Sequence, residues 1–256
     1  MGDKKLLIGD IETAKFLYSG AAYDRKMYNP YLSSSTITRT RWIPCASWKV
    51  HGKNHVNSVS VLDFPKRFKK DYSDDYDVIG TLWETLNNCE CFIGHNGENF
   101  DWKIIKARFL YHGFTPPDRI KIIDTLKIAR SEFRLEANDL RYLCWYLKLP
   151  QTKGRAPDWD LVSMGDLKEL KYCVQYNKQD TRILEPVFDR LMPFSKQKLY
   201  YCDEECPACG SQKYQSKGNH ACPPGKWRYQ CSVLACSRRW TGRPPKSRKD
   251  LNAPRS

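Results

Sequence analysis

The chain has no long hydrophobic run. At its start, MGDKKLLIGDIE offers only Leu6, Leu7 and Ile8 before a glycine and two acids interrupt them. That is too short for the apolar region of a secretory leader, and far from the roughly 20 residues of a membrane span. Leu6 stands where an N-myristoylation motif requires Ser or Thr. A soluble, cytoplasmic protein with no membrane partner is expected. There is no internal repeat, which argues against solenoids and propellers. A disulfide framework is also missing, despite 11 cysteines. Cys45, Cys89, Cys91, Cys144 and Cys173 are scattered through apolar segments and read as small reduced core residues. The other six lie between positions 202 and 236 and read as metal ligands.

What is present suits a folded protein: 256 residues, 41% hydrophobic and 13% aromatic, enough for one sizeable core with length to spare. The formal charge is +14. Residues 201–256 hold 11 Lys/Arg against 4 Asp/Glu, so about a fifth of the chain carries half of that charge. A basic balance fits a polyanionic partner, of which nucleic acid is the usual one.

Along the chain, residues 4–12 read as a strand ending in acids, and 13–40, with Gly20, Pro30 and a Ser/Thr cluster, as a long loop with room for short elements of its own. Segments 42–50 and 57–64 read as a hairpin continuing the first strand. Val78, Ile79, Leu82, Trp83 and Leu86 have helical spacing over 78–89. Cys91 to Gly94 form a short buried strand, 101–112 a helix, and Ile120 to Ile123 a strand closed by Asp124. Asn138 is a candidate cap for a helix running to Leu149, and a long helix follows from Asp166 to Leu191 with Pro186 inside it. Three strands first, then strands alternating with helices, predict an α/β domain with a mixed sheet. Composition shifts to Cys, Gly, Lys and Arg after Pro193. This places a boundary near 195, a small domain over 196–242 and a basic disordered tail over 243–256.

Three short clusters carry the chemistry: Asp10-Ile11-Glu12, then Asn96 to Phe100-Asp101, then Tyr176 to Asp180. The strand period of two puts Asp10 and Glu12 on one face, about 7 Å apart, with Ile11 pointing the other way. The spacing of four puts Tyr176 and Asp180 on one helical face. Asp101 opens a helix beside a strand end. Four acids so delivered can hold two divalent metals roughly 3.5–4 Å apart against a phosphodiester. Mg²⁺ or Mn²⁺ suits such an oxygen-donor set. Asp124 is a fifth acid at a strand end, better read as a helix cap, and His95 as a loop histidine.

The segments LIGDIET, FIGHNGENFDW and YCVQYNKQDTRIL resemble the three motifs of DnaQ-like 3′–5′ exonucleases, which have a ribonuclease H-like fold. Tyr176 matches the tyrosine (DEDDy) subclass, since Gln175 stands where the histidine subclass requires His. IIDTLKIARSEFRLEANDLRYL and the Tyr-Asn-x-x-Asp form are most similar to YprB-like predicted nucleases, and also resemble polymerase proofreading domains. The resemblance covers residues 4–192 and implies a set of roles. Asp10 would bridge both metals, and Glu12 and Asp180 would hold the one that activates water. Asp101 would serve the second metal, and Tyr176 would orient the attacking water. Asn96 and Phe100 would shape the loop and contact the terminal nucleotide. The long 13–40 segment departs from the pattern. A two-metal 3′–5′ exonuclease acting on DNA, at single strands or 3′ ends, is the expectation. An RNase or structure-specific endonuclease, or a non-catalytic nucleic-acid or partner-binding module, stays open, as do RNA as substrate and replication or repair proteins as partners.

In the tail, Cys206-Pro-Ala-Cys209 is a tight turn, and Cys231 and Cys236 follow after a hairpin-length interval. Four thiolates suit one structural zinc, and the segment resembles a zinc ribbon. Four residues separate the second pair where two are usual, so Cys202, His220 and Cys222 are rival ligands. Lys226, Trp227, Arg228, Arg238, Arg239 and Trp240 interleave cations with rings, as a single-strand binder would.

Overall fold

The computed structural model describes residues 5–19, 34–117, 120–150, 154–195, 214–217, 227–232 and 239–242. Its strands are β1 (Lys5–Ile11), β2 (Leu17–Tyr18), β3 (Ile37–Arg39), β4 (Cys45–Val50), β5 (Asn57–Ser60), β6 (Cys89–Gly94), β7 (Lys121–Asp124), β8 (Tyr214–Ser216), β9 (Trp227–Cys231) and β10 (Arg239–Gly242). Its helices are α1 (Pro65–Lys70), α2 (Tyr76–Asn87), α3 (Asp101–His112), α4 (Thr125–Glu132), α5 (Leu140–Tyr146), α6 (Trp159–Ser163) and α7 (Leu167–Leu191).

Five strands form one mixed sheet in the order β5-β4-β1-β6-β7. β5, β4 and β1 are antiparallel neighbours, and β6 and β7 join parallel to β1. β1 is central and buried on both sides. Leu7 and Ile11 pack toward α2 and α3 with Val78, Ile79, Leu82, Ile105 and Phe109. Ile8 points the other way, into a second cluster with Ile128 of α4, Leu143 of α5 and Ile183, Leu184 and Val187 of α7. Helices on both faces of a mixed sheet are the ribonuclease H-like α/β architecture expected from the sequence.

β4 and α7 meet along a matched ladder. Alternate strand residues advance by about 6.6 Å, and every fourth helical residue by about 6 Å. Cys45 accordingly faces Cys173, Ser47 faces Asn177 and Thr181, Lys49 faces Glu185, and His51, just past the strand, faces Asp189. α7 remains one helix of 25 residues through Pro186, opened by Asp166, whose side chain accepts from Glu169 N–H at 2.8 Å.

Three sequence expectations need correction. The strand over 57–64 stops at Ser60, because Asp63 turns back to accept from Ser60 N–H at 2.7 Å and closes a 3-10 turn. Asp139, not Asn138, caps α5: its carboxylate accepts from Tyr142 N–H at 3.0 Å. That helix ends at Tyr146, short of Leu149, where Lys148 turns left-handed at φ 54°. Beyond residue 195, the described part is a three-stranded antiparallel sheet, β8-β9-β10. No described helix is long and apolar enough to cross a membrane.

Candidate active site

β1 delivers the first acids. Asp10 lies opposite Ser47 on β4, and Glu12 N–H, just past the strand, donates to Cys45 C=O at 3.0 Å. The residue before Asp10 must be small. A Cβ on Gly9 would meet the Phe92 ring at 2.6 Å and the Ser47 carbonyl at 3.0 Å. On the other side of the site, α7 buries a stripe that turns polar in its middle: Tyr176, Asn177, Asp180 and Thr181 are all buried. One oxygen each from Asp10, Glu12 and Asp180 lies within 4.8 Å of the others. Residues 170 positions apart in sequence thus share one carboxylate cluster. Three hard oxygen donors at this spacing fit a divalent cation such as Mg²⁺ or Mn²⁺.

Asp101 is the first residue of α3 and only 3% exposed. It is not the helix cap that a surface reading of its motif would make it. Its Oδ1 instead accepts the N–H of Ile11, between Asp10 and Glu12, at 3.2 Å. Burial pushes its carboxyl up to about 7, opposed by hydrogen bonds from the N–H groups of Ile11 and Asp101 itself, with the charge of Asp124 adding to the rise. Its oxygens are not part of the 4.8 Å group, so it stands beside that cluster.

Asp124 acts as a cap, as the sequence suggested, and also as a tether. It accepts from Leu126 and Lys127 N–H of α4 and from Asn96 and Glu98 N–H of the loop before α3. That loop is tightly turned. Asn96 is left-handed at φ 64°, a conformation Asn tolerates better than most residues, and its C=O accepts from Phe100 N–H at 2.9 Å. Gly94 and Gly97 approach so closely that a Cβ on Gly94 would sit 2.9 Å from the Gly97 Cα. His95 bonds the Thr125 hydroxyl at 2.9 Å, as a loop histidine would. Phe100 is 40% exposed and stays out of the core.

Tyr176 lies one helical turn before Asp180, 7% exposed, with its ring edge-on to Trp159 at 6.3 Å. Asn177, which the sequence reading did not single out, reaches furthest into the cluster: its Nδ2 donates to Asp10 Oδ2 at 2.8 Å. Its own C=O accepts from Ser47 Oγ at 3.0 Å, and Ser47 Oγ is 2.6 Å from Thr181 Oγ1. The Asn of the Tyr-Asn-x-x-Asp form was the available signal. Cys45 and Cys173 approach to 3.7 Å between their sulfurs beside the acids. Burial raises the Cys45 thiol well above its ordinary range, helped by its bond to Cys173 and by the charges of Glu12 and Asp10.

Cys45, Cys91, Cys144 and Cys173 are buried, Cys89 is half-buried, and none of these five is in a disulfide. Cys206, Cys209, Cys236, Lys226 and Arg238, with Cys202, His220 and Cys222, lie outside the described residues. Trp227, Arg228 and Cys231 fall on β9, and Arg239 and Trp240 on β10, where Arg239 is exposed.

No curated protein matches the chain. Among solved structures, it is similar to the family B DNA polymerase from the hyperthermophilic archaeon Pyrobaculum calidifontis, with a TM-score of 0.54 and 14% identity. The similarity covers 75% of this chain and 25% of that one, so the chain spans about a quarter of the polymerase. The likeness is one of fold. A family model described as the RNase_H superfamily matches residues 49–192. That span is more than half of the chain and includes Asp101, Tyr176 and Asp180, and on it the chain belongs to the RNase H superfamily.

Proposed function

We propose that the chain is a metal-dependent 3′–5′ exonuclease of the tyrosine-bearing, DnaQ-like kind, hydrolysing phosphodiesters with DNA as the favoured substrate. The observation that carries this reading is the convergence of Asp10, Glu12 and Asp180 within 4.8 Å, with Tyr176 one turn away on the same face of α7. Divalent cations held there would supply charge stabilisation at the scissile phosphate and a nucleophile from water. Asp10, Glu12 and Asp180 would hold them, and Asp101 would assist from beside Ile11. Asn177 fixes the Asp10 carboxylate, and Ser47 fixes Asn177 through its backbone. Tyr176 offers a hydroxyl to orient the attacking water. A fold shared with a quarter of a DNA polymerase suits a domain that trims strand ends.

In the same reading, residues 1–195 are the nuclease domain, 196–242 a zinc ribbon and 243–256 a basic tail. The three antiparallel strands β8-β9-β10 support a ribbon held by Cys206, Cys209, Cys231 and Cys236. Its cations and rings would add grip on the strand.

A single assay tests the activity. Oligonucleotides labelled at the 3′ or the 5′ end, and a circular single strand, are incubated with Mg²⁺, with Mn²⁺ and with chelator. Metal-dependent loss of the 3′ label first, with the circle intact, is expected. Cleavage of the circle would make the chain an endonuclease, and no cleavage with either metal would refute the enzymatic reading. Elemental analysis of the full-length protein should find one zinc.

A further inference from the structure

α5 buries one side and leaves the other bare. Leu140, Leu143 and Cys144 enter the core, whereas Trp145 is 70% and Tyr146 50% exposed. The exposed side is aromatic and ordered. Tyr142 lies 5.9 Å from Tyr146 with the ring planes 24° apart, and 5.5 Å from Trp145. The Tyr142 hydroxyl donates to Glu136, which holds that ring in place. Arg141, four residues before Trp145 and so on the same side of the helix, is exposed, and Lys148, two residues past the helix end, is exposed as well. Large rings left bare in this way mark an interaction surface.

The face adjoins the carboxylate cluster. Arg141 Nη2 donates to Gly154 C=O at 3.0 Å, and a Cβ on Gly154 would touch the Tyr176 ring at 3.9 Å. The next carbonyl, that of Arg155, accepts from the Tyr172 hydroxyl at 2.8 Å. Arg141 and Tyr172 therefore clamp one short segment, 154–155, between the aromatic face and the helical turn that carries Tyr176. The described residues between 125 and 155 are basic, with six Lys/Arg against three Asp/Glu.

We propose that this face of α5, with Trp145 and Tyr146 as its rings, Arg141 as its cation and Lys148 just past its end, stacks the bases of a single-stranded nucleic acid whose end lies at Asp10, Glu12 and Asp180. The proposal rests on the nuclease reading for the position of the strand's end. Rings accept any base because every base has a π-face, and cations meet the phosphates between them. A duplex keeps its bases stacked inside and offers the rings nothing, so the face selects for single strands.

The test uses the full-length chain and the double variant Trp145→Ala/Tyr146→Ala. Dissociation constants for a single-stranded dodecamer and a blunt duplex are read by fluorescence anisotropy in buffer free of Mg²⁺ and Mn²⁺, so that binding is measured without cleavage and any zinc stays in place. Loss of base–aromatic stacking should weaken the dodecamer roughly 10- to 100-fold and leave the duplex unchanged. Trp145→Tyr should retain most of the affinity. Equal dodecamer affinities would overturn the proposal. So would a parallel loss on dodecamer and duplex, or a change in sedimenting mass that made the face a contact between copies of this chain. Because binding is read without Mg²⁺ or Mn²⁺, a chain that binds through α5 but never cleaves would keep this proposal and refute the nuclease reading alone.

Discussion

The interface between the sheet and α7 has two ends built from opposite rules. At the far end, unlike charges are matched. Glu185 takes Lys49 and the N–H of Gly52, and Asp189 takes His51. At the near end, like charges are drawn together: Asp10, Glu12 and Asp180 crowd within 4.8 Å, with Asp101 buried beside them. Both ends use α7 and the adjacent, paired strands β1 and β4, so the scaffold alone does not explain the difference. Matched pairs hold a helix to a sheet. Clustered carboxylates work against folding by mutual repulsion and desolvation, and they make sense where a cation is to be held. The neutral rungs between, Ser47 with Asn177 and Thr181, join the two regimes and pass the position of α7 on to Asp10.

The widest break in the comparison comes from the near end. Asp10→Ala or Asp180→Ala should reduce cleavage by about 10³-fold or more, because losing one ligand unbalances the whole cluster. Thermal melts should show no matching collapse in stability, since the substitution also relieves like-charge repulsion. Mn²⁺ should raise the melting temperature of the wild type and leave that of Asp180→Ala almost unmoved. Wild-type turnover by purified Asp10→Ala protein would undo the assignment of the near end.

The far end should behave in the opposite way. Glu185→Gln leaves Lys49, whose side chain is 7% exposed, buried without its counter-charge. Breaking such a pair typically costs about 3 kcal/mol. Urea unfolding should show a loss of that order, whereas Mn²⁺ affinity and cleavage measured well below the melting temperature should be unchanged. A large loss of activity without a loss of stability would mean that the two ends are not separable.

The contrast also shows what could be read from the sequence. β1, β6, α3 and α7 were legible because each joins a clear apolar period to a chemical cluster, at its end or, in α7, at its middle. The near end was legible because Asp10, Asp101, Tyr176 and Asp180 keep motif spacing. The ladder was not. Cys45, Ser47 and Lys49 in a strand look like ordinary alternation, and their partners lie about 130 residues away, where only tertiary packing pairs them. Asn138 and Asp139 are adjacent and equally good caps by residue type; packing of Leu140 and Leu143 sets the register that favours Asp139. α1 and α6, with 6 and 5 residues, are too short to show a period.

Tyr176→Phe sharpens the near end by separating positioning from charge. The ring remains packed edge-on to Trp159 and only the hydroxyl is lost. Turnover should fall about 10- to 100-fold, toward the lower part of what a positioned proton-handling group contributes. Mn²⁺ affinity by calorimetry should match the wild type. Lost metal affinity would place the phenol among the ligands instead.

The smallest effect belongs to His51. Its imidazole is 2.7 Å from Asp189 and edge-on to Phe188 at 5.6 Å. The hydrogen bond to Asp189 raises its pKa above 6.5, against the opposing effect of partial burial. A histidine with a raised folded-state pKa binds its proton more tightly in the native state. Its contribution is therefore fully present below about pH 6.5, the unfolded value, and is lost as pH rises through the higher folded value. With side chains 33% and 52% exposed, solvent screens the pair, and the contribution should stay below about 1 kcal/mol. Urea midpoints taken across neutral pH should decline gently in the wild type and lose that part of the slope in His51→Gln. Cleavage should be indifferent to the substitution, because His51 sits at the matched end of the ladder. A His51→Gln protein with the wild-type slope would show that this rung contributes packing against Phe188 and no charge.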